Sequence, residues 1–255
     1  MSIKRLNIIP IFVLLLIATV SNGQDYQKII SKANEAYSQK KYEEAAMLYD
    51  SVLTLEQESA GLYYNLGNSH FKNNNLAYSI LYYEKALQLD PNNADLINNL
   101  EMARSKTLDK IEKVPQLFYI RWWQNFSNSY SANQWGKIAV ASFVILLILA
   151  GTFLFASKIT IRKISFWTGL VALIFTLLSF VIATQNYNKL TKNKTAIIFN
   201  PSVTVKSTPD ENSVNLFVLH EGTKVFLQDK VGNYHEIKIE NGSQGWIKSN
   251  SFKAI

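Results

Sequence analysis

The side chains that most often carry out catalysis are few in this chain. It has no cysteine, which excludes thiol nucleophiles, disulfides and zinc–thiolate sites. Its three histidines are His70, His220 and His235. His70 falls inside a predicted helix, where packing is the favoured role. His220 precedes a predicted turn and His235 lies on a predicted strand, so a surface role is favoured over catalysis for both.

The chain lacks the spacing of three common catalytic and phosphate-binding motifs. HExxH, GxSxG and GxxxxGKS/T do not occur. Carboxylates such as Glu43 and Glu44 belong to solvent-facing helix surfaces. A hydrolytic site needs a nucleophile or activated water, a proton shuttle and a group that holds them in place. We therefore predict no catalytic site, no metal site and no cofactor, and interpret the chain as non-enzymatic.

The chain from Asp25 to Leu108 has a helical pattern that repeats with a fixed period. Ala33, Tyr42, Ala45, Tyr49 and Val52 recur one period later as Gly67, Leu76, Ser79, Tyr83 and Ala86. This period, and the second copy from Tyr63 to Pro91 in particular, resembles the tetratricopeptide repeat, whose length is about 34 residues. Pro91 is placed to end the fourth helix. A further helix from Ala94 to about Leu108 would cap the stack, because a terminal repeat otherwise exposes its apolar face.

The tetratricopeptide resemblance implies a concave peptide-binding groove. Its implied lining is Ile30, Asn34 and Tyr37 in the first repeat, Tyr64, Asn68, Phe71 and Lys72 in the second, and Asn98, Met102 and Ser105 on the cap helix. Asn34 and Asn68 can each donate to and accept from the backbone of an extended peptide. The cationic positions of a carboxylate clamp are held here by Ile30, Asn98 and Met102, so a chaperone-type clamp is not expected. The alternative is that these side chains pack on a neighbouring segment.

Two apolar runs lie in the middle of the chain. Twenty consecutive uncharged residues separate Lys137 from Lys158, and twenty-five separate Lys163 from Lys189. Each run is long enough to cross roughly 30 Å of hydrocarbon as a helix. The short connection between them predicts an antiparallel transmembrane hairpin, which places everything before and after it on the same side of the membrane.

The net charge of +7 is concentrated beside these runs. Residues 114–194 contain eight basic and no acidic side chains. This distribution fits anionic lipid head groups and does not predict a nucleic-acid-binding face, which needs a basic stripe on a folded domain.

The segment from Met1 to Gly23 has the form of an export signal. Lys4 and Arg5 precede an apolar core from Ile8 to Val20, and small residues follow at Ser21 and Gly23. Cleavage before Gln24 is favoured, and an uncleaved anchor is the alternative. Either form directs the next segment across the membrane, so both soluble regions are predicted to be periplasmic at a bacterial inner membrane.

Residues 114–136 are rich in aromatic side chains. Arg121, Trp122, Trp123 and Trp135 are predicted to lie at the membrane interface, where rings with one polar edge are enriched. The alternative is that these rings pack beneath the repeat domain. Ser131 and Gln134 have the spacing of a capping box that would begin the first span.

From Thr195 onward the period changes to two, as in β-strands. Gly232 and Gly242 mark two hairpin turns, since such turns need a positive φ. Five or six short strands predict a small barrel. The run from Val203 to Pro209, followed by Gly245-Trp246-Ile247 and Phe252, resembles the bacterial SH3 domain. Trp246 is predicted as a core residue, with a ligand platform as the alternative.

The predicted fold class is a multidomain membrane protein with an all-α repeat domain, a two-helix transmembrane hairpin and an all-β SH3-like barrel. The predicted segments are 1–23 (signal peptide), 25–113 (repeats with cap helix), 114–136 (aromatic juxtamembrane segment), 137–157 and 164–184 (transmembrane helices), 185–194 (linker) and 195–255 (SH3-like domain).

This order of segments resembles the BatE-type repeat proteins of the aerotolerance (Bat) operons of Bacteroides-like bacteria. The resemblance implies as partners the membrane-bound von Willebrand factor A-type proteins of those operons, linked to a MoxR-type ATPase. The first hypothesis is a non-enzymatic scaffold that holds envelope proteins at the membrane. The second is a sensor or adaptor whose SH3-like domain binds peptidoglycan.

Overall fold

The computed structural model describes residues 26–55, 58–112, 115–192 and 194–255. The predicted export signal, residues 1–23, lies outside the described residues. The described part contains a helical repeat region, a pair of long apolar helices and an antiparallel sheet.

Five helices form the repeat region. They are α1 (26–38), α2 (Tyr42–Leu53), α3 (Ala60–Lys72), α4 (Leu76–Leu89) and α5 (Ala94–Ser105). Ser59 and Asn93 cap α3 and α5 by accepting hydrogen bonds from the N–H groups of Leu62 and Leu96. The fourth helix ends at Leu89, just before Pro91, as the sequence predicts.

Small side chains let the repeat helices approach each other. Ala33 and Ala45 are completely buried, and Gly67 lies against the ring of Tyr83. Tyr49 and Tyr83 are also buried and fill the space between the helices. The repeating pattern of small and aromatic residues therefore produces the helical core.

Three helices follow the repeat region: α6 (Phe118–Ser127), α7 (Ala132–Phe155) and α8 (Ile159–Lys192). The predicted capping box is confirmed, because Ser131 Oγ accepts from Gln134 N while Gln134 Oε1 accepts from Ser131 N. Both α7 and α8 are long and apolar enough to cross a membrane. They pack together with hydroxyl pairs between them, Ser142 with Thr176 at 2.9 Å and Thr152 with Ser165 at 2.9 Å.

The two long helices extend beyond the predicted spans. The connection is residues 156–158, shorter than the predicted connection 158–163, because α8 already begins at Ile159. At its other end α8 continues to Lys192, so most of the predicted linker 185–194 is helical. An asparagine such as Asn186 often ends a helix, because its side chain competes for the backbone hydrogen bonds of the helix. Here the Asn186 amide donates to Ser127 O at 2.8 Å instead, and the helix continues.

The C-terminal region is a seven-stranded antiparallel sheet with the order β3-β2-β6-β5-β4-β1-β7. The strands are β1 (Thr195–Ile198), β2 (Ser202–Lys206), β3 (Asn215–His220), β4 (Lys224–Val231), β5 (Tyr234–Lys238), β6 (Gln244–Lys248) and β7 (Phe252–Ala254). Gly232 and Gly242 have φ of +56° and +95° at the two predicted hairpin turns. The sheet has seven strands where five or six are predicted, and the short C-terminal strand β7 pairs with β1.

The sheet is not a closed barrel, because β3 and β7 are its two edges. Its core contains Val205, Val225, Ile237 and Ile247, all nearly or fully buried. The prediction that Trp246 is a core residue is wrong: Trp246 is only partly buried, and it alternates with the buried Gly245 and Ile247 on β6. Neighbouring residues of a strand point to opposite faces, so Trp246 lies on the face away from this core.

Candidate functional site: the repeat groove and its junction with the sheet

One hydrogen bond recurs in both repeats. The Tyr49 hydroxyl donates to Asn34 Oδ1 at 2.5 Å, and at the equivalent positions of the second repeat the Tyr83 hydroxyl donates to Asn68 Oδ1 at 2.6 Å. Burial raises the pKa of both tyrosines, so each hydroxyl keeps its proton and remains a donor. The second helix of each repeat thereby fixes the asparagine that the sequence placed in the groove.

Asn99 completes the groove in a way that the sequence did not predict. Its amide donates to the Tyr64 hydroxyl at 3.1 Å and to Asn68 Oδ1 at 3.0 Å, which ties α5 to α3. The tetratricopeptide resemblance implies Asn98 instead, one position away, but the Asn98 side chain is exposed. A shift of one residue turns a helical side chain by about 100°. The two hydrogen bonds of Asn99 join residues 35 and 31 positions apart in the sequence, so the repeat pattern of the sequence does not predict them.

The other predicted groove residues differ in their surroundings. Tyr37 is partly buried with its ring 5.2 Å from that of Tyr42, and the Phe71 ring lies 4.3 Å from the ammonium of Lys106. Lys72 is exposed at the end of α3. The structure thus brings Tyr64 and Asn68 into one hydrogen-bonded cluster, while Lys72 and Asn98 remain free at its border among the described residues.

A buried carboxylate joins the repeats to the sheet. Glu84 on α4 is 8% exposed at its side chain and forms ion pairs with Arg104 of α5 and with Lys224 of β4. The Lys224 Nζ to Glu84 Oε2 distance is 2.6 Å. Since a buried charge is stable only when it is paired, this contact requires α4, α5 and β4 to stay together.

A second polar contact holds the segment after α5 against the sheet. Asp109 accepts from the His220 N–H at 2.7 Å and from the Thr223 hydroxyl at 2.6 Å, and it lies 2.7 Å from His220 Nδ1. Burial alone raises the pKa of the Asp109 carboxyl, but the hydrogen bonds from Thr223 and His220 together outweigh it and lower that pKa below 3.8. His220, predicted as a surface residue, therefore has a structural role.

At this junction the backbone of Gly222 in the sheet comes close to side chains of the repeat region. Gly222 has φ of +87°, and a Cβ at this position would lie 2.8 Å from Thr107 and 3.1 Å from Ile80. Only glycine combines that conformation with the available space.

Aromatic rings complete the junction. The Tyr78 ring meets the Phe199 ring edge-on at 4.7 Å, and the Lys253 ammonium lies 4.3 Å from the Tyr78 centroid. His70 also stacks on Tyr78, at 4.9 Å, which agrees with its predicted packing role. Ile197 of β1 is fully buried within the helical core rather than that of the sheet. The repeats and the sheet therefore share one interface, which the sequence did not predict.

The predicted membrane-interface residues separate into two groups. Trp122 is 67% exposed and Arg121 is exposed on α6. Trp135, in contrast, is 3% exposed and its indole N–H donates to Ser127 O at 2.9 Å. Trp135 therefore joins α7 to α6 instead of presenting its ring to the surroundings.

The sheet carries a polar groove of about 770 Å³ between the β2–β3 loop and the 3₁₀ turn Ser249–Ser251. Asp210, Asn233, Tyr234 and Asn250 are among its lining residues. The Tyr234 hydroxyl is buried and has no hydrogen-bond partner among the described residues. An unpaired buried hydroxyl is uncommon and costs stability unless a ligand or water pairs with it.

The Asp109 contact predicts a pH dependence of stability. Because the folded-state pKa of Asp109 lies below its ordinary value, the contact contributes fully above about pH 5 and is lost as the pH falls through the folded-state pKa. We expect Asp109→Asn to lower the free energy of unfolding by about 1–2 kcal/mol at neutral pH. Urea unfolding across the acid range checks this. The difference between the variant and the unmodified chain should shrink as the pH falls below the ordinary pKa of an aspartate, and a constant difference would contradict the assignment.

Comparison with family models identifies the class of the helical region. Residues 33–74 match the model described as TPR repeat, and residues 60–93 match the model described as Tetratricopeptide repeat. The chain therefore contains tetratricopeptide repeats, as its period predicts. Proteins with these repeats typically act as non-enzymatic scaffolds in protein–protein interaction. No curated protein matches the chain.

Proposed function

We propose that this protein is a membrane-anchored scaffold that binds a protein partner in the groove of its tetratricopeptide repeats. The observation that carries the proposal is the network around Asn68, in which Tyr83 and Asn99 fix the amide on the groove side of α3. A binding side chain held in one rotamer loses less conformational entropy when a peptide docks. The apolar helices α7 and α8 support anchoring in a membrane.

The contacts between the repeats and the sheet support a scaffold in which these two regions form one rigid unit. Glu84 and Asp109 hold the sheet against the repeats, so a partner in the groove would keep a fixed orientation relative to the sheet. We further propose that the sheet is an SH3-like domain, that both soluble regions are periplasmic, and that the predicted segments 25–113 and 195–255 act together. By the stated resemblance, the partners would be von Willebrand factor A-type membrane proteins of an aerotolerance-type complex.

A crosslinking pull-down from intact membranes tests the groove. The variant carries Asn34→Ala, Lys72→Ala and Asn98→Ala, three exposed positions on α1, α3 and α5. We expect recovery of the partner to fall roughly tenfold, since the three substitutions together remove polar side chains from all three helices of the proposed groove. Met47→Ala is the control, because Met47 on α2 is 62% exposed and lies outside the predicted groove. Equal recovery with both variants would exclude the groove as the binding site.

A second proposed function, peptidoglycan binding by the sheet, is favoured by its polar groove, where Asp210, Asn233 and Asn250 can exchange hydrogen bonds with a ligand. The full chain in detergent should sediment with purified sacculi, and Asn250→Ala should weaken this association several-fold by removing one hydrogen-bond partner. Asn98→Ala changes an exposed asparagine outside this groove and serves as the control. Failure of the unmodified chain to sediment would eliminate this function.

A further inference from the structure

A cleft lies where the repeats meet the two long helices. Its wide end, of about 780 Å³, is mostly apolar, with walls from the repeats (Ala60 and Leu89) and from the helices (Gly136, Ala183, Tyr187 and Leu190). A smaller cavity of about 310 Å³ shares Leu190 with it and is also lined by Lys189 and Asn128. Its lining is more polar than that of the wide end, and we call it the polar end. We call the two ends together the junction cleft.

The depth of the junction cleft follows from the helix directions. The chain enters the apolar run after Lys137 on α7 and leaves it before Lys189 on α8. In the apolar end, Gly136 on α7 directly precedes Lys137 and Ala183 lies within the second apolar run. In the polar end, Asn128 precedes α7 in the chain and Lys189 follows the second apolar run. If α7 and α8 span a bilayer, the cleft lies at the level of the lipid head groups, with its apolar end toward the hydrocarbon.

The charges at the polar end favour an anion. Glu84 lines this end but is already paired with Arg104 and Lys224, so the three groups together carry a net positive charge. Lys189 is exposed and forms no ion pair within the described part of the chain. Residues 114–194 add no acidic side chain that could neutralise it.

We propose that the junction cleft binds one anionic phospholipid, with an acyl chain in the apolar end and the phosphate beside Lys189. A phospholipid matches the cleft in three respects. Its apolar acyl chains and anionic phosphate match the apolar and polar ends of the cleft. Its depth in the bilayer matches that of the cleft, and its acyl chains point toward the hydrocarbon as the apolar end does. Such a lipid would contact both the repeats and the helices, and so would fix the tilt of the scaffold on the membrane. This inference rests on the proposed membrane anchoring.

Native mass spectrometry of the full chain in detergent, with added dioleoyl phosphatidylglycerol or dioleoyl phosphatidylcholine, tests the proposal. The unmodified chain should hold one phosphatidylglycerol, bound roughly fivefold or more tightly than phosphatidylcholine, as expected for one lysine near an anionic head group. Lys189→Gln should remove this preference and leave phosphatidylcholine binding unchanged. Ala183→Trp, which fills the apolar end, should abolish binding of both lipids.

Lys158→Gln is the matched control, because it removes the same charge at the opposite end of the helix pair. Equal lipid preference in Lys189→Gln and Lys158→Gln would overturn the proposal. So would a change of oligomeric mass in Ala183→Trp without loss of lipid, since the cleft would then bind a second copy of the chain. Resistance of the unmodified chain to carbonate extraction tests the anchoring separately, so that failure of the lipid site and failure of the anchoring can be distinguished.

Discussion

Replacing Glu84 with alanine is expected to lower the midpoint of thermal unfolding by about 6–12 °C. The substitution leaves Arg104 and Lys224 without their shared carboxylate at the junction of the repeats and the sheet. Breaking a buried ion pair from one side costs roughly 3–5 kcal/mol, and we expect about 3 kcal/mol because both cations are partly exposed. For a chain of this size, a change of about 1 kcal/mol corresponds to about 2–4 °C. Circular dichroism of the full chain in detergent measures the shift.

Two further variants test the cause of that shift. Adding Lys224→Ala to Glu84→Ala should recover part of the lost stability, because it removes one of the unpaired cations. Glu211→Ala breaks an exposed ion pair with Lys248 and should leave the midpoint unchanged, because exposed pairs contribute little. Equal shifts for Glu84→Ala and Glu211→Ala would show that the buried network does not hold the junction.

Replacing Gly67 with valine is expected to destabilise the repeats by about 3 kcal/mol. A Cβ at this position would lie 2.5 Å from Cδ1 and Cε1 of Tyr83. The Tyr83 ring cannot move away easily, since it is 1% exposed and its hydroxyl is bonded to Asn68. Overfilling a packed core of this kind costs about 1–3 kcal/mol. Valine adds two methyl groups beyond the Cβ, so we expect a cost at the upper end of this range. Chemical unfolding monitored by circular dichroism at a helical wavelength measures it.

Gly61 provides a control within the same helix. Nothing lies within 4 Å of a Cβ at Gly61, so Gly61→Val should change the free energy of unfolding by no more than about 0.5 kcal/mol. Valine has a higher helix propensity than glycine, so helix propensity cannot explain a loss of stability in either variant. A loss with Gly61→Val as large as that with Gly67→Val would therefore contradict the role of the close approach of α3 and α4.

Local signals in the sequence predicted most elements of the fold. The repeat period located α1 to α5, Pro91 marked the end of α4, and Ser131 with Gln134 marked the start of α7. Alternation of apolar residues located six of the seven strands. These signals succeed because caps, turns and amphipathic faces depend on residues within a few positions of each other.

Tertiary contacts changed several of those predictions. The helix α8 passes through the polar stretch after Gln185 because Ser127, far away in the sequence, accepts a hydrogen bond from Asn186. Trp246 lies on the outer face because strand register decides which face is buried, and a shift of one residue reverses it. On a helix, a shift of one residue turns the side chain by about 100°. For this reason Asn99, and not Asn98, faces Asn68 and joins the groove network.

By itself, the sequence determined the repeats, the two apolar helices, the strands and a charge distribution that borders the apolar runs. Only the tertiary structure decided that the repeats and the sheet share an interface. The contacts that make this interface, Glu84 with Lys224 and Asp109 with His220, join residues 140 and 111 positions apart. Neither pair belongs to a periodic pattern, so only the folded chain, which brings the two surfaces together and excludes water between them, reveals the pairing.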